Sequence, residues 1–169
     1  IDAINLIAKK YKLKTIEDGA HALGAEYKNK KIGNHSDFIM FSLQAIKHVT
    51  TVDGGLLLCK EQSDYERGKL LRWYGIDRDE KRKEFRCEED IIEYGYKFHM
   101  NDICATIGIE QLKCIDDIVS KHIDNQKYYD QTLKNVKGIT IIKKPDILMS
   151  SSWLYTLHVQ RRDLFCQWM

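Results

Sequence analysis

The stretch Phe41–Gly55 (FSLQAIKHVTTVDGG) sets a lone lysine, Lys47, between an apolar run carrying Ser42 and a Thr-Thr-x-Asp-Gly-Gly turn. Asp18 follows a short strand-like segment, Leu13–Glu17, and His21 lies three residues beyond it. In a sheet of α/β type, ligands bind at the carboxyl ends of strands. Asp18 is placed just past one such end, Ser42 near the next, and Lys47 in the loop beyond. A carboxylate, a hydroxyl and an amine are thereby predicted to share one crevice.

That set has a chemical logic. A lysine amine can form a Schiff base with an aldehyde cofactor and then serve as nucleophile and base. A pyridoxal ring needs a carboxylate beside its nitrogen, because only the protonated ring drains electrons well from a carbanion. Its phosphate needs hydroxyls and backbone N–H groups. Asp18, Ser42 and Lys47 match these three needs in turn. Each also has an ordinary reading: a lone lysine is usually a solvated surface group. On residue types alone Asp18-Gly19 is more often a turn, Ser42 more often a hydroxyl satisfied by local backbone, and His21 more often a polar loop residue.

The elements that must position these residues read as α/β. Asp2 is a candidate N-cap for a helix Ala3–Tyr11, whose apolar face is Ala3, Ile4, Ile7, Ala8 and Tyr11. AHALGAEYKNKKIG suggests a hairpin-like excursion. Asp37–Leu43 and Leu56–Cys59 are apolar strands without clean alternation, as expected of a sheet buried on both faces. A helix is predicted over Glu61–Tyr74, and Asp77–Glu93 is a charge run read as a solvated loop or lid. A long helical stretch from Asn101 to about Val136, broken once, carries the stripe Ile103, Ile107, Leu112, Ile115, Val119, Ile123 and Leu133. Gly138–Ile142 reads as a strand, Pro145 as loop punctuation, and Trp153–Val159 as a further strand. Helix and strands with a single proline argue against a β-sandwich. A boundary near residue 116 divides the chain into 1–115, part of a large domain, and 116–169, the start of a smaller one.

Composition narrows the field. The 169 residues suffice for one ordinary domain. Their 27 basic and 25 acidic side chains leave a net charge of only +2, with no basic patch for nucleic acid and no acidic tail. No apolar run approaches the ~20 residues of a membrane span, and no signal peptide opens the chain. Cys59, Cys87, Cys104, Cys114 and Cys166 are scattered, odd in number and without CxxC spacing. They argue against a disulfide framework and against a metal site, and suit a reducing cytoplasm as small buried hydrophobes. The chain opens at Ile1 and closes just past a strand-like run, and it reads as an internal piece of a longer protein.

Taken together, EDGAHALGAEYKNKKIG, SDFIMFSLQAIKHVTTVDGG and GYKFHMNDICATIGIEQL resemble the DegT/DnrJ/StrS family, sugar-nucleotide aminotransferases of pyridoxal phosphate fold type I. The late SSWLYTLHV stretch shares the resemblance. It implies that Lys47 holds pyridoxal phosphate, that Asp18 pairs with the pyridine nitrogen, that His21 packs on the ring and that Ser42 binds the phosphate. Where the family often has G-Y-N-x-R-M this chain has GYKFHM, Gly95 to Met100. The amide that reaches a neighbouring subunit's cofactor phosphate is replaced, leaving Lys97 or His99 as donor. The implied reaction takes an amino group from an amino acid, by resemblance glutamate, to a keto-deoxy-sugar nucleotide, in a cytoplasmic homodimer. Related sugar dehydratases use the same cofactor but carry histidine at the position of Lys47, so the lysine favours aminotransfer over a lyase. A non-catalytic binding or regulatory relative is the remaining alternative.

Overall fold

The computed structural model describes residues 1–79 and 91–169. Most of the predicted charge-run loop therefore lies outside the described residues. The chain begins with helix α1, Asp2–Lys10. Asp2 does not cap it: the N-cap is Ile1, and no side chain caps the helix. The Asp2 carboxylate instead pairs with Lys28 and accepts a hydrogen bond from Tyr27 Oη at 3.3 Å, joining α1 to the hairpin. Of the expected apolar face only Ala8 is buried, while Ile4, Ile7 and Tyr11 are exposed.

Three strands carry the site: β1 (Ile16–Asp18), β4 (Phe38–Ser42) and β5 (Gly55–Cys59). Between β1 and β4 lies the expected hairpin, β2 (Glu26–Tyr27) and β3 (Lys30–Lys31). Its two linking residues, Lys28 and Asn29, both have positive φ (50° and 60°), the backbone of a type I′ turn. The sheet order is β1-β4-β5, with β4 parallel to β1 and antiparallel to β5. It is therefore mixed.

Within the residues of this chain, burial is one-sided. Ile39, Phe41 and Leu43 are 2–3% exposed, whereas Met40 between them is 40% exposed. With side chains alternating across the strand, β4 presents only one face to the core. On β5, an edge strand, Leu56, Leu57 and Leu58 are all exposed. The core is completed by Ala25, Val49, Thr51 and Val119.

Helix α2 spans Gln62–Leu71. The long helical stretch is broken once, into α3 (Asp102–Leu112) and α4 (Ile115–Leu133). Asn101 caps α3, its Oδ1 accepting from Cys104 N–H at 2.9 Å, a contact worth about 1 kcal/mol. Along the predicted stripe Val119 is buried, and Ile107, Ile115, Ile123 and Leu133 are half-buried. Ile103 and Leu112 are exposed.

The remaining elements are β6 (Ile139–Ile141), β7 (Leu148–Met149), β8 (Leu157–Val159) and α5 (Arg162–Trp168). Strand β7 pairs antiparallel with β2, Glu26 opposite Met149, and ties the end of the chain to its beginning. The predicted strand over Trp153–Val159 is shorter than expected, and α5 was not anticipated. Cysteine burial also differs from expectation: Cys59 and Cys104 are half-buried and Cys114 and Cys166 exposed, all four as free thiols. Among the described residues no group of three or more metal-ligating side chains forms. No helix there is long and apolar enough to cross a membrane.

Candidate active site

Two aspartates mark opposite ends of the parallel β1/β4 pair. Asp37, just before β4, accepts hydrogen bonds from Thr15 N–H at 2.8 Å and Thr15 Oγ1 at 3.0 Å. The Thr15 backbone bond foremost, with the Thr15 hydroxyl and Lys14 adding to it, holds its carboxyl below the usual carboxylate range. Asp37 is a structural clamp. Asp18 closes β1 at the carboxyl end and is exposed. Its Oδ1 accepts from Ala20 N–H at 3.0 Å, and no cation among the described residues pairs with it. The turn reading and the functional reading of Asp18 are thus compatible: one oxygen shapes the turn, and the carboxylate stays open to a positive partner.

Gly19 next to it is buried, with its N–H bonded to Met40 O at 2.9 Å. A Cβ there would lie 3.0 Å from Met40 O and from the side chains of Ile39 and Phe41. The close approach fixes Asp18 against β4. In the register Asp18 stands opposite Met40, so Ser42 lies two residues further along the same direction, about 7 Å.

Ser42 ends β4, its Oγ accepting from Gln44 N–H at 3.3 Å. The loop that follows closes on itself: Leu43 N–H donates to Gly54 O at 2.8 Å and Thr51 N–H to Leu43 O at 2.9 Å. Inside it, Lys47 N–H bonds Gln44 O at 2.9 Å, forming the turn that carries the lysine. Val49 and Thr51 have no solvent exposure and His48 only 8%, so the loop is anchored from below. Helix α3 supports it from outside, Gln111 Oε1 accepting from Thr50 N–H at 3.0 Å. Val52 has φ 72°, an unfavourable backbone for a β-branched residue and a form of strain that clusters at functional sites. Gly54 (φ 156°) has no room for a Cβ, which would meet Thr51 Oγ1 and, at 2.8 Å, Met100.

Lys47 is half-buried, and its Nζ lies 3.8 Å from the ring centroid of Trp153. The His21 ring rests on the same indole, centroids 4.1 Å apart and tilted 41°. Trp153 falls within a strand-like alternation in the sequence, and no local pattern signals a partner so distant in the chain. A cleft of about 190 Å³ lined by His122, Gln126, Tyr129, Ser152, Trp153 and Tyr155 opens against this indole.

Lys97 stands apart. It forms an isolated bridge with Trp73, and no hydrogen bond, ion pair or ring contact among the described residues joins it to Asp18, Ser42 or Lys47. Close by, the His99 ring lies against Trp73, centroids 3.4 Å apart and tilted 53°. Its pKa is lowered first by lost solvation, then by the charges of Lys97, Arg72 and Arg78. His99 Nδ1 is buried without a hydrogen-bond partner among the described residues.

The donor set fits pyridoxal phosphate. An open carboxylate, a hydroxyl and an amine are held at the carboxyl ends of adjacent parallel strands, with a flat ring at His21.

The sequence profile of the DegT/DnrJ/EryC1/StrS aminotransferase family matches residues 1–167. The chain is 34% identical, over 98% of its length, to the UDP-4-amino-4,6-dideoxy-N-acetyl-beta-L-altrosamine transaminase of Campylobacter jejuni, of which it spans 44%. It superposes on the crystal structure of AtS13 from Actinomadura melliaura with a TM-score of 0.90 and 35% identity, covering 98% of this chain and 46% of that one. A putative sugar aminotransferase of Streptococcus pneumoniae, Spr1654, solved in a PLP-form and a PMP-form, matches at TM-scores of 0.80 and 0.82 with 28% identity, over 95% of this chain and 42% and 44% of those chains. The chain thus spans less than half the length of these relatives. Its mixed α/β architecture is that of fold-type-I pyridoxal-phosphate-dependent transferases. It belongs to the DegT/DnrJ/EryC1/StrS aminotransferase family.

Proposed function

We propose that the whole protein transfers an amino group from an amino acid, glutamate, to a keto-deoxy-sugar nucleotide, with pyridoxal phosphate held by Lys47. One observation supports this above the rest: Asp18, Ser42 and the Lys47 loop all sit at the carboxyl ends of β1 and β4. When bound, the cofactor supplies an electron sink for charge developing at the donor's α-carbon.

The chain's own residues do the remainder. Asp18, open to a cation, holds the positive charge on the ring nitrogen. Ser42 Oγ donates to the phosphate, and His21 packs on the ring. Lys47 Nζ takes the proton from the donor's α-carbon and passes it to the cofactor's carbonyl-derived carbon on the far side of the nitrogen. Lys97, or His99 with its unpartnered Nδ1 among positive charges, reaches the phosphate of a neighbouring subunit in a homodimer. Residues 1–115 belong to the large cofactor domain and 116–169 to the start of the small one, with β2·β7 pairing across that boundary. The reaction belongs to the cytoplasm, where nucleotide sugars are made.

The test is covalent trapping in the full-length protein. Borohydride reduction in the presence of pyridoxal phosphate, followed by peptide mass mapping, should place the adduct on Lys47. Lys47→Ala should abolish it and lower turnover by at least ~10²–10⁴-fold, the usual worth of a positioned proton carrier. An adduct on Lys60 or Lys97, with Lys47 unmodified, would overturn the assignment.

A further inference from the structure

Among the described residues, six other than glycine have positive φ: Lys12, Lys28, Asn29, Val52, Tyr74 and Ser152. The first five are exposed, and Ser152 alone is buried, with φ 55° and 8% exposure. For a residue with a side chain, the left-handed region costs a factor of roughly 5 to 150 against an ordinary turn. Such a residue persists only where its surroundings hold it. Ser152 is held at each of its polar groups. Its N–H donates to Ser150 Oγ at 3.1 Å, its Oγ donates to Gln126 Oε1, and its carbonyl oxygen lies 3.3 Å from His122 Nδ1. Gln126 is itself fixed, because its Nε2 donates to Asp130 Oδ2 at 3.1 Å while Lys144 Nζ donates to the same Oε1. His122, Gln126 and Asp130 follow one another at intervals of four and share one face of α4.

We propose that Ser152 is a positioning residue for Lys47: its strained turn, locked by Gln126, sets the indole of Trp153 over the lysine. This rests on Lys47 being the lysine that carries the cofactor. Trp153 is the next residue in the chain. Its Nε1–H donates to Ile46 O at 2.8 Å, and its ring centroid lies 3.8 Å from Lys47 Nζ. The bond fixes the carbonyl just before the lysine, and the ring closes one side of the space that the lysine side chain can sweep. Both are constraints of position, and they act on the uncharged amine that takes the donor's α-proton. That amine must reach two carbons on either side of one nitrogen, a task in which misplacement by about 1 Å costs ~10²-fold. A Ser152 relaxed to negative φ would send the chain off in another direction and carry the indole away from both contacts.

Glycine separates this role from ordinary packing. It takes a left-handed backbone without steric cost, so its turn no longer needs the lock. Alanine loses the hydroxyl and keeps the cost. If Ser152 merely filled space, glycine would be the worse of the two replacements.

The experiment uses the full-length protein with Ser152→Ala and Ser152→Gly, each alone and each combined with Gln126→Met. The first reading is made without cofactor: hydrogen exchange of the Trp153 indole N–H, its resonance assigned by its loss in Trp153→Phe. Ser152→Ala should lower protection about 2- to 12-fold, the worth of one hydrogen bond, and Ser152→Gly should keep it at or above the wild-type level. The second reading is the cofactor's spectral change with glutamate and no acceptor. With Gln126→Met, Ser152→Ala should slow that change at saturating glutamate by roughly 10- to 100-fold, the half-saturating concentration staying within about twofold. In the same background Ser152→Gly should be at least about fivefold faster than Ser152→Ala. If the Gln126→Met forms fail to fold, the single variants carry both readings, glycine again ahead of alanine. Glycine no better protected than alanine, or equal rates in the two, would overturn the proposal. So would the expected order of protection with wild-type rates throughout, since the place of the indole would then have no bearing on Lys47. A wild-type borohydride adduct on another lysine overturns the reading of the site itself, and this role with it, even where the order of protection holds.

Discussion

His48 adjoins Lys47 in sequence but serves a different purpose. It is 8% exposed, its ring meets His122 edge-on at 4.6 Å, and its Nε2 has no hydrogen-bond partner among the described residues. Burial first, and the neighbouring His122 second, hold its pKa below the ordinary 6.5. The unfolded chain therefore binds the His48 proton more readily than the folded one. Stability from this residue is present above pH 6.5 and is lost as pH falls from there toward the folded pKa. Asp37, also lowered, contributes its own loss only further down, below 3.8. We expect the melting temperature to drop between about pH 7 and 5, and His48→Leu, which cannot titrate, to flatten that slope. A slope unchanged in the variant would show that His48 is not the group responsible.

At the scale of elements, the Lys47 loop closes on itself and is braced from outside by α3. Gln111 lies on the last turn of that helix and accepts the Thr50 N–H, a bond spanning 61 residues. Gln111→Met keeps the length of the side chain and removes the acceptor, leaving a half-buried amide without its partner. The expected cost is about 1 kcal/mol, seen as a lower urea midpoint with an unchanged m-value. No shift in midpoint would show that water replaces the bond. Strands β1 and β4, the hairpin and the broken α3/α4 pair were legible in the sequence, because apolar runs, an Asn between lysines and a helical stripe are local signals. The misread elements share a different cause. Trp153, Tyr155, Leu157 and Val159 alternate as a strand would, yet only Leu157–Val159 pairs. Ser152 turns left-handed, and the Trp153 Nε1–H is drawn to Ile46 O. Neither constraint has a signature within any short window. Asp2 likewise had the composition of a cap, but Lys28 and Tyr27, distant in sequence, claim its carboxylate. Of the site, the types and strand-end positions of Asp18, Ser42 and Lys47 could be read, while the aromatic face could not.

For the molecule as a whole, the separation of Lys97 from the Asp18–Lys47 group within one chain accords with a site completed by a second copy. Full-length Lys97→Ala and Lys47→Ala proteins, each impaired, should regain part of wild-type activity when mixed into verified heterodimers, since one of the two sites would then be intact. Absence of any recovery would mean that both residues serve the same chain's site. The contact between Trp153 and the Ile46 carbonyl, described above as geometry, also has a consequence in time. A ribosome adding about 5–20 residues per second needs roughly 5–20 s to make the 107 residues that separate the two. Through that interval the nascent chain carries the lysine loop without its aromatic cover and β2 without its β7 partner. Premature termination anywhere between them would release a polypeptide with the lysine made and its cover missing, so this contact forms only after Trp153 has been made.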